Sequence, residues 1–390
     1  MSQPILVHKY GGSSVADVEK MKKVAALIAA RRAQGYGLVV VVSAMGDTTD
    51  ELLALAKKVT ANPPRRELDM LLTAGERISM ALLSMALIEQ GTPAISFTGS
   101  QSGIITSDDH AQARIIDVRP TRVREELAKG KVVIVAGYQG VSEKREVTTL
   151  GRGGSDTTAV AMAAALSAEA CEIYSDVDGV FTADPRVVPR AHKLETLAHE
   201  EMQELAHCGA KVLNAAAVEF ARAKGITIHA KSTFGGGTGT KVVSEPGPDA
   251  IRGIATDAEV ALLQAERSVD VNALLDFLRG AHAHARELGR RAERHGWAIP
   301  MADVHDEGFA SELQRRFGGA VRLVTDVARV SAAGRGASKS EVVKALLEAA
   351  RASSAEVLDV DGQPLSSSIF VARGKLAEVA RAAHAALLEG

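Results

Sequence analysis

Gly37-Leu38-Val39-Val40-Val41-Val42-Ser43-Ala44-Met45 is a continuous apolar run, dominated by valine, that turns polar only at Ser43. Such a run fits a strand buried on both faces, the position of a strand inside a parallel sheet. Outward from it the chain alternates between strand and helix patterns. Upstream, residues 5–10 read as a short strand. Gly11-Gly12-Ser13-Ser14 follows, then helical apolar spacing across 17–35. Downstream, a helix is expected at 48–60, with Thr48 and Glu51 in a capping-box pattern at its start. A helical stretch at 65–90 is expected to be interrupted near Gly75. Short strands are expected at 93–99, 103–107 and 114–118, with a helix at 121–130. A strand at 131–141, a helix at 155–169 and a strand at 170–181 come next. A long helical region covers about 195–224, and a late strand 226–233. This order predicts an open α/β sheet with helices on both faces.

The pattern changes after about residue 245, where Ser244-Glu245-Pro246-Gly247-Pro248-Asp249-Ala250 supplies a linker. Amphipathic helices are expected at 270–288, 307–318, 340–353 and 375–390. Weaker strands are expected at 319–334, 355–360 and 366–372. We read residues 1–245 as the three-layer α/β unit and 246–390 as a smaller α+β unit with no phosphate loop and no reactive cluster. The 390-residue length suits two or three domains.

Composition removes several function classes. The formal net charge of -2 argues against a protein that coats nucleic acid. With 3% aromatic residues, a stacking platform for bases or sugars is not expected. No fully apolar run reaches the length of a bilayer crossing, and the N-terminus lacks a signal-peptide layout, so no membrane partner and a cytoplasmic location are expected. The two cysteines, Cys171 and Cys208, look like buried structural thiols.

In open α/β sheets ligands sit at the carboxyl ends of strands, and four such ends carry unusual residues. Lys9-Tyr10-Gly11-Gly12 offers backbone N–H groups and a point charge to a phosphate; it also reads as a glycine turn with a solvated lysine. Ser43 sits at a strand end, whereas Thr48 is better explained as a helix cap. Gly151-Arg152-Gly153-Gly154-Ser155-Asp156 leaves room for a ligand around a guanidinium able to fork a carboxylate, although Asp156 could simply cap the following helix. The stretch from Tyr174 to Arg186 suits a nucleotide and its magnesium, or an Asp-Gly turn with surface charges. Glu76 alone reads as an exposed helix acid. His282 and His284 lie two apart in an expected helix, which points them to different sides. His8 and His229 read as structural.

Seven segments occur in order: KYGGSSV (9–15), VVSAMGDTTDEL (41–52), DMLLTAGERIS (69–79), SFTGSQSGI (96–104), VAGYQGV (135–141), TTLGRGGSDTTA (148–159) and EIYSDVDGVFTADPR (172–186). Together they resemble the aspartate kinases of the amino acid kinase superfamily, over about 1–245. The resemblance implies an enzyme that phosphorylates the β-carboxylate of L-aspartate with ATP and Mg2+ to give 4-phospho-L-aspartate. That is the first step toward lysine, threonine and methionine. A carboxylate nucleophile is already ionised at pH 7, so the chemistry needs charge neutralisation and alignment rather than a general base.

By the resemblance, Lys9 stabilises the transferring phosphoryl group and Asp156 organises the reacting groups. Arg152 and Glu76 read the substrate's carboxylate and ammonium. Ser43, Thr49 and Ser155 hydrogen-bond the substrate. Gly11 and Gly12 meet the phosphates, with Ser175, Asp176, Phe181, Arg186 and Lys211 along the nucleotide. Phe181 stands where many relatives have tyrosine. No residue set is assigned to a metal. The C-terminal unit resembles paired ACT modules, the first degenerate: residues 270–288 are helical where a DKPG-type loop is usual. It is expected to pair chains into a homodimer or higher homo-oligomer, with weak or absent inhibition by lysine or threonine. The remaining readings of the pattern are a kinase for another small acid and a silent sensor. The joint presence of Lys9, Glu76, Arg152 and Asp156 argues against the latter.

Overall fold

The computed structural model describes residues 3–151, 153–281, 283, 285–288, 294–301, 304 and 308–389. Arg152, His282 and His284 lie outside the described residues. The chain divides into two units: Met1–Val180 with Lys193–Gln203 and Lys211–Pro246, and Phe181–His192 with Glu204–Ala210 and Gly247–Gly390. The sequence division at 245 therefore omits two short segments, 181–192 and 204–210, that pack with the second unit.

The first unit is built on an eight-stranded sheet. Its strands are β1 (Ile5–Tyr10), β2 (Gly37–Val42), β3 (Ala94–Phe97), β6 (Val132–Ala136), β9 (Ala170–Ser175), β10 (Thr196–Ala198), β11 (Ile228–Ser232) and β12 (Thr240–Val243), in the order β10-β12-β11-β9-β1-β2-β6-β3. Every pairing is parallel except β11 with β12. All six residues of β2 are buried, as its valine run requires. Four further strands, β4 (Ile104–Thr106), β5 (Ile115–Val118), β7 (Gln139–Ser142) and β8 (Val147–Thr149), form a small sheet ordered β5-β4-β7-β8.

One face of the large sheet presents Leu6, Tyr10, Val40, Val42 and Ile134 to α1 (Val18–Ala33) and α3 (Arg65–Glu89). Because strand side chains alternate, Lys9 points to the other face, against α5 (Gly154–Leu166). The remaining helices of this region are α2 (Thr48–Val59), α4 (Thr121–Ala128), α6 (His199–His207) and α7 (Ala215–Lys224).

The structure corrects several expectations. Asp47, not Thr48, is the N-cap residue of α2, and it makes no side-chain cap bond; Thr48 is already helical. Helix α3 runs through Gly75 unbroken. A Cβ at Gly75 would lie 2.7 Å from the Ala44 Cβ, so the glycine lets α3 close on the end of β2. By length and mean hydropathy α3 has what a bilayer crossing needs, which the search for apolar runs did not anticipate. It carries buried Asp69, Thr73, Glu76, Ser79 and Ser84 and packs on β3, β6 and β8, as a core helix does. The expected strand at 131–141 is two strands, split at Gly137 and at Tyr138, whose φ is +67°. The expected helical region at 195–224 contains β10 and two separate helices. Cys171 and Cys208 are buried and free, and burial pushes both thiols up.

The second unit has one antiparallel six-stranded sheet: β13 (Gly253–Glu266), β14 (Arg286–Leu288), β15 (Arg294–Pro300), β16 (Val321–Ala333), β17 (Val357–Gln363) and β18 (Ser366–Ala372), in the order β14-β15-β13-β16-β18-β17. β13 and β16 are long enough to serve two halves. Near one end, α8 (Val271–Gly280) and α9 (Phe309–Phe317) cover Leu263, Trp297, Ile299 and Val321. Near the other, α10 (Ser340–Ala352) and α11 (Leu376–Leu388) cover Ile254, Val330, Ile369 and Val371. The β13–β16 register shifts between Asp257 and Leu262, where the strands pass from one half to the other. The expected helix at 270–288 stops at Gly280, and 286–288 is strand; β15 had not been anticipated.

Candidate active site

The carboxyl ends of β1, β2, β6 and β9 converge in the first unit. Lys9, next to last in β1, reaches across to Asp156 in the first turn of α5, Nζ to Oδ1 2.8 Å, with both side chains largely buried. Asp156 is thus ion-paired and does not cap the helix. The N-cap of α5 is Gly153, in the left-handed region at φ +73°, and no side chain caps the helix. The start of the helix is closed by backbone instead: Gly154 N–H donates to the Gly151 carbonyl at 3.0 Å and Asp156 N–H to the Gly153 carbonyl at 3.1 Å, with Lys9 beside this turn. The positive helix end and a cation together favour an anion here.

The glycine turn after β1 is tightly seated. Gly11 N–H donates to the Tyr174 carbonyl at 3.2 Å, and a Cβ at Gly11 would lie 3.5 Å from Lys9 Nζ. A Cβ at Gly12 would come within 2.9 Å of the Ala44 carbonyl oxygen. This turn and the Ser43–Gly46 turn are thus in backbone contact, sealed by Gly46 N–H to the Gly12 carbonyl at 3.2 Å. Ser43 is half-buried at the end of β2, where its N–H donates to the Tyr10 carbonyl at 3.1 Å. Thr49 is half-buried in the first turn of α2.

Glu76 overturns the expectation of an exposed helix acid. It is 3% exposed; Oε1 accepts the Ala44 N–H at 3.3 Å, and Oε2 has no hydrogen-bond partner among the described residues. Burial pushes its carboxyl up to about 7, against the smaller opposing pull of backbone hydrogen bonds. A buried carboxylate oxygen left unpartnered at a strand end is suited to a cationic group from outside. Ser155 is buried beside Gly137, whose Cβ would lie 2.7 Å from the Ser155 Oγ.

Lys9, Gly11, Gly12, Ser43, Glu76, Ser155 and Asp156 are therefore brought to one edge of the sheet. The nucleotide residues expected from sequence are less uniform. The Ser175 hydroxyl accepts the Val177 N–H at 3.2 Å, while Asp176 is exposed. Asp178 is paired with Lys193 at 2.8 Å. Phe181 and Arg186 belong to the second unit. Phe181 is half-buried, and Arg186 forks Asp184 at 3.0 and 2.7 Å, which holds that carboxyl below its usual range. Lys211 is exposed between α6 and α7.

Several supporting residues escaped the sequence reading. A Cβ at Gly153 would sit 2.2 Å from Asn214 Nδ2; Asn214 also caps α7 through Ala216 and Ala217 N–H. An Asn before an alanine-rich helix signals a cap, but nothing in the sequence says which loop it also supports. Asp69 is fully buried. It accepts from Thr149 Oγ1 at 2.6 Å, from His110 Nδ1 at 2.7 Å and from Ala111 N–H at 3.1 Å, tying α3 to the start of the Gly151–Gly154 loop. Behind Lys9, on the opposite face, Glu172 gathers His8 Nε2 at 3.0 Å, Lys231 Nζ at 2.7 Å, the Tyr174 hydroxyl at 2.7 Å and Arg31 at 3.3 Å. Burial works to raise the Glu172 carboxyl, but these partners hold it below the usual range, while burial lowers His8. The cluster locks β1, β9 and β11 together one residue before Lys9. His8 is buried within this cluster, and His229 Nδ1 lies 3.9 Å from Glu172 at its margin.

The architecture is an α/β sheet whose strand ends gather a paired lysine, a glycine turn and a buried carboxyl, and the comparisons say which family shares it. Residues 4–232 match the model of the amino acid kinase family. The aspartokinase of Thermus thermophilus is 40% identical over 403 residues, covering 98% of both chains. That of Mycobacterium tuberculosis is 60% identical over 240 residues, 61% of this chain; the match spans 57% of that relative's length. Among solved structures, Escherichia coli aspartokinase III in complex with aspartate and ADP superposes with a TM-score of 0.84 at 22% identity, covering 98% of this chain and 99% of that one. The chain belongs to the amino acid kinase family, in its aspartokinase group.

Proposed function

We propose that the protein is an aspartate kinase that transfers the γ-phosphoryl group of ATP to the β-carboxylate of L-aspartate in the cytoplasm, giving 4-phospho-L-aspartate and ADP. The observation that carries this is the Lys9–Asp156 pair at the start of α5, beside the Gly11–Gly12 turn, with buried Glu76 at the neighbouring strand end. An aspartate oxygen attacks the γ-phosphorus and the bond to the β-phosphate bridging oxygen breaks. Lys9 faces the charge that accumulates on the transferring group. Asp156 holds the Lys9 ammonium in place. Glu76 takes the substrate ammonium on its buried carboxylate, and Arg152 forks the carboxylate of the substrate. Ser43, Thr49 and Ser155 complete the substrate's hydrogen bonds.

Gly11 and Gly12 lie against the phosphates. Ser175, Asp176, Phe181, Arg186 and Lys211 serve the nucleotide, an assignment that rests on the matched segments. Mg2+ enters with ATP, as its complex. E. coli aspartokinase III, whose fold this chain shares, holds aspartate and ADP, the substrate and the product nucleotide proposed here. Hydroxamate formation is expected to require ATP, Mg2+ and L-aspartate together. Product with glutamate or another acid, and none with aspartate, would assign the enzyme to a different substrate.

The second unit is proposed to be a pair of ACT-like modules that join chains into a homodimer or larger assembly through the edges of its sheet. Where a DKPG-type effector loop would lie, Arg267–Asp270 turns directly into α8, with Asp270 capping Asn272 and Ala273 N–H. An effector with no differential affinity for two states shifts nothing. Activity is therefore expected to be unchanged by millimolar lysine or threonine, and calorimetry to detect no tight binding. Micromolar binding coupled to inhibition would show the first module to be a working sensor.

A further inference from the structure

Thr233, just beyond β11, is absent from every motif that carries the functional assignment, yet it joins two loops that the nucleotide is assigned to touch. It is 5% exposed. Its N–H donates to the Ser175 carbonyl at 2.8 Å, and its hydroxyl donates to the same oxygen at 3.0 Å. The single hydroxyl proton is used there, so Thr233 Oγ1 accepts from the Ser14 hydroxyl at 2.6 Å. Ser14 is 2% exposed and lies in the turn that follows Gly11 and Gly12. A directed chain thus runs from the glycine turn after β1, through Thr233, to the last residue of β9. Residues 14 and 233 are 219 positions apart, so only the folded sheet brings them together.

We propose that Thr233 is a positioning residue for the nucleotide: its hydroxyl fixes the spacing between the Gly11–Gly12 turn, assigned to the phosphates, and the Ser175–Asp176 turn, assigned to the rest of the nucleotide. It touches neither substrate. The proposal rests on the nucleotide assignment given above, and it predicts an effect on one substrate only. The glycine turn is held on its other side by Gly46 N–H and by the packing of Gly12 on Ala44, which do not depend on Thr233. Loss of the brace would loosen the nucleotide side of the site while the Ser43, Glu76 and Ser155 side stays in place.

Thr233→Val keeps the shape and removes the hydroxyl. It is expected to raise the KM for ATP, and the calorimetric Kd for ATP measured without aspartate, by about five- to ten-fold, the size of one buried hydrogen-bond link. The KM for aspartate and kcat should remain near the parent values. Ser14→Ala should do the same, and the double variant should be no worse than the single ones, because both remove one chain. Thr233→Ser restores the hydroxyl and should restore the affinity for ATP. Unchanged ATP affinity in both Thr233→Val and Ser14→Ala would overturn the proposal. So would equal losses for both substrates together with a lowered melting temperature, or a Thr233→Ser variant as impaired as Thr233→Val. Should Thr233→Val not fold, Ser14→Ala decides alone. Binding of ATP by the parent protein with phosphorylation of some other acid would refute the choice of aspartate and leave the brace standing.

Discussion

Replacing Lys9 by alanine is expected to lower kcat by about a hundred- to a thousand-fold, the effect of removing one preorganised donor from the charge that develops in a transition state. The ATP Kd should change far less. The glycine turn is held by Gly11 N–H on the Tyr174 carbonyl and by its contact with the Ser43–Gly46 turn, and neither contact uses the lysine. The substitution also strips Asp156 of its partner in a buried setting, so the melting temperature should fall as well. Lys9→Arg separates the two effects. It keeps a cation near Asp156 but places a planar fork where a compact ammonium stood. Stability should then return while turnover stays low. A Lys9→Ala enzyme with parental kcat would remove the lysine from the chemistry altogether.

The second large effect concerns Glu76. Its carboxyl is pushed up to about 7 by burial, so the free protein at pH 6 holds it mostly protonated. An amino acid's ammonium is best received by the ionised form. The aspartate KM is therefore expected to be about ten-fold higher at pH 6 than at pH 8, although the substrate's own carboxylates are ionised at both. Glu76→Gln should abolish this pH dependence and raise the KM at pH 8 by about ten- to a hundred-fold, the worth of a charge-assisted hydrogen bond.

Stability should move the opposite way. The folded carboxyl binds its proton more tightly than the unfolded one, so the folded state carries more protons between about pH 4.5 and 7. Stability contributed by this group falls as pH rises through that window and stays low above it. Glu76→Gln keeps the acceptor for the Ala44 N–H and removes the buried charge. At pH 8 the unliganded variant is expected to be more stable, by on the order of 2–3 kcal/mol. An aspartate KM flat from pH 6 to pH 8 in the parent protein would show that Glu76 does not receive the ammonium.

Local pattern carried the reading where the relevant physics is local. The valine run at 37–42 had to be a central strand, because no other element buries six consecutive apolar residues so readily, and all six are buried. Lys9 with its two following glycines and the Gly151–Asp156 loop could be picked out as strand-end chemistry, since residue type and spacing are visible in one dimension. The same local view failed at Gly75 and at residues 270–288. A glycine in a helical stretch reads as a break because it costs about 1 kcal/mol relative to alanine. Only the packed structure reveals that a Cβ there would strike Ala44. In 270–288 the helical spacing continues past the point where pairing with β15 draws residues 286–288 into a sheet.

What the sequence determined by itself was the α/β alternation, the change of pattern near 245, and the set of residue types at the strand ends. What only the tertiary structure decided was the state of each residue. Asp156 could have been a cap until Lys9, 147 positions away, was found 2.8 Å from it. Glu76 could have been a solvated acid until α3 closed on the end of β2 and left one carboxylate oxygen buried with no partner among the described residues. Thr233 had no visible role until β1, β9 and β11 came side by side. The physical reason is the same in each case. Propensity and periodicity depend on neighbours along the chain, whereas ionisation, burial and hydrogen-bond partnership are set by neighbours in space.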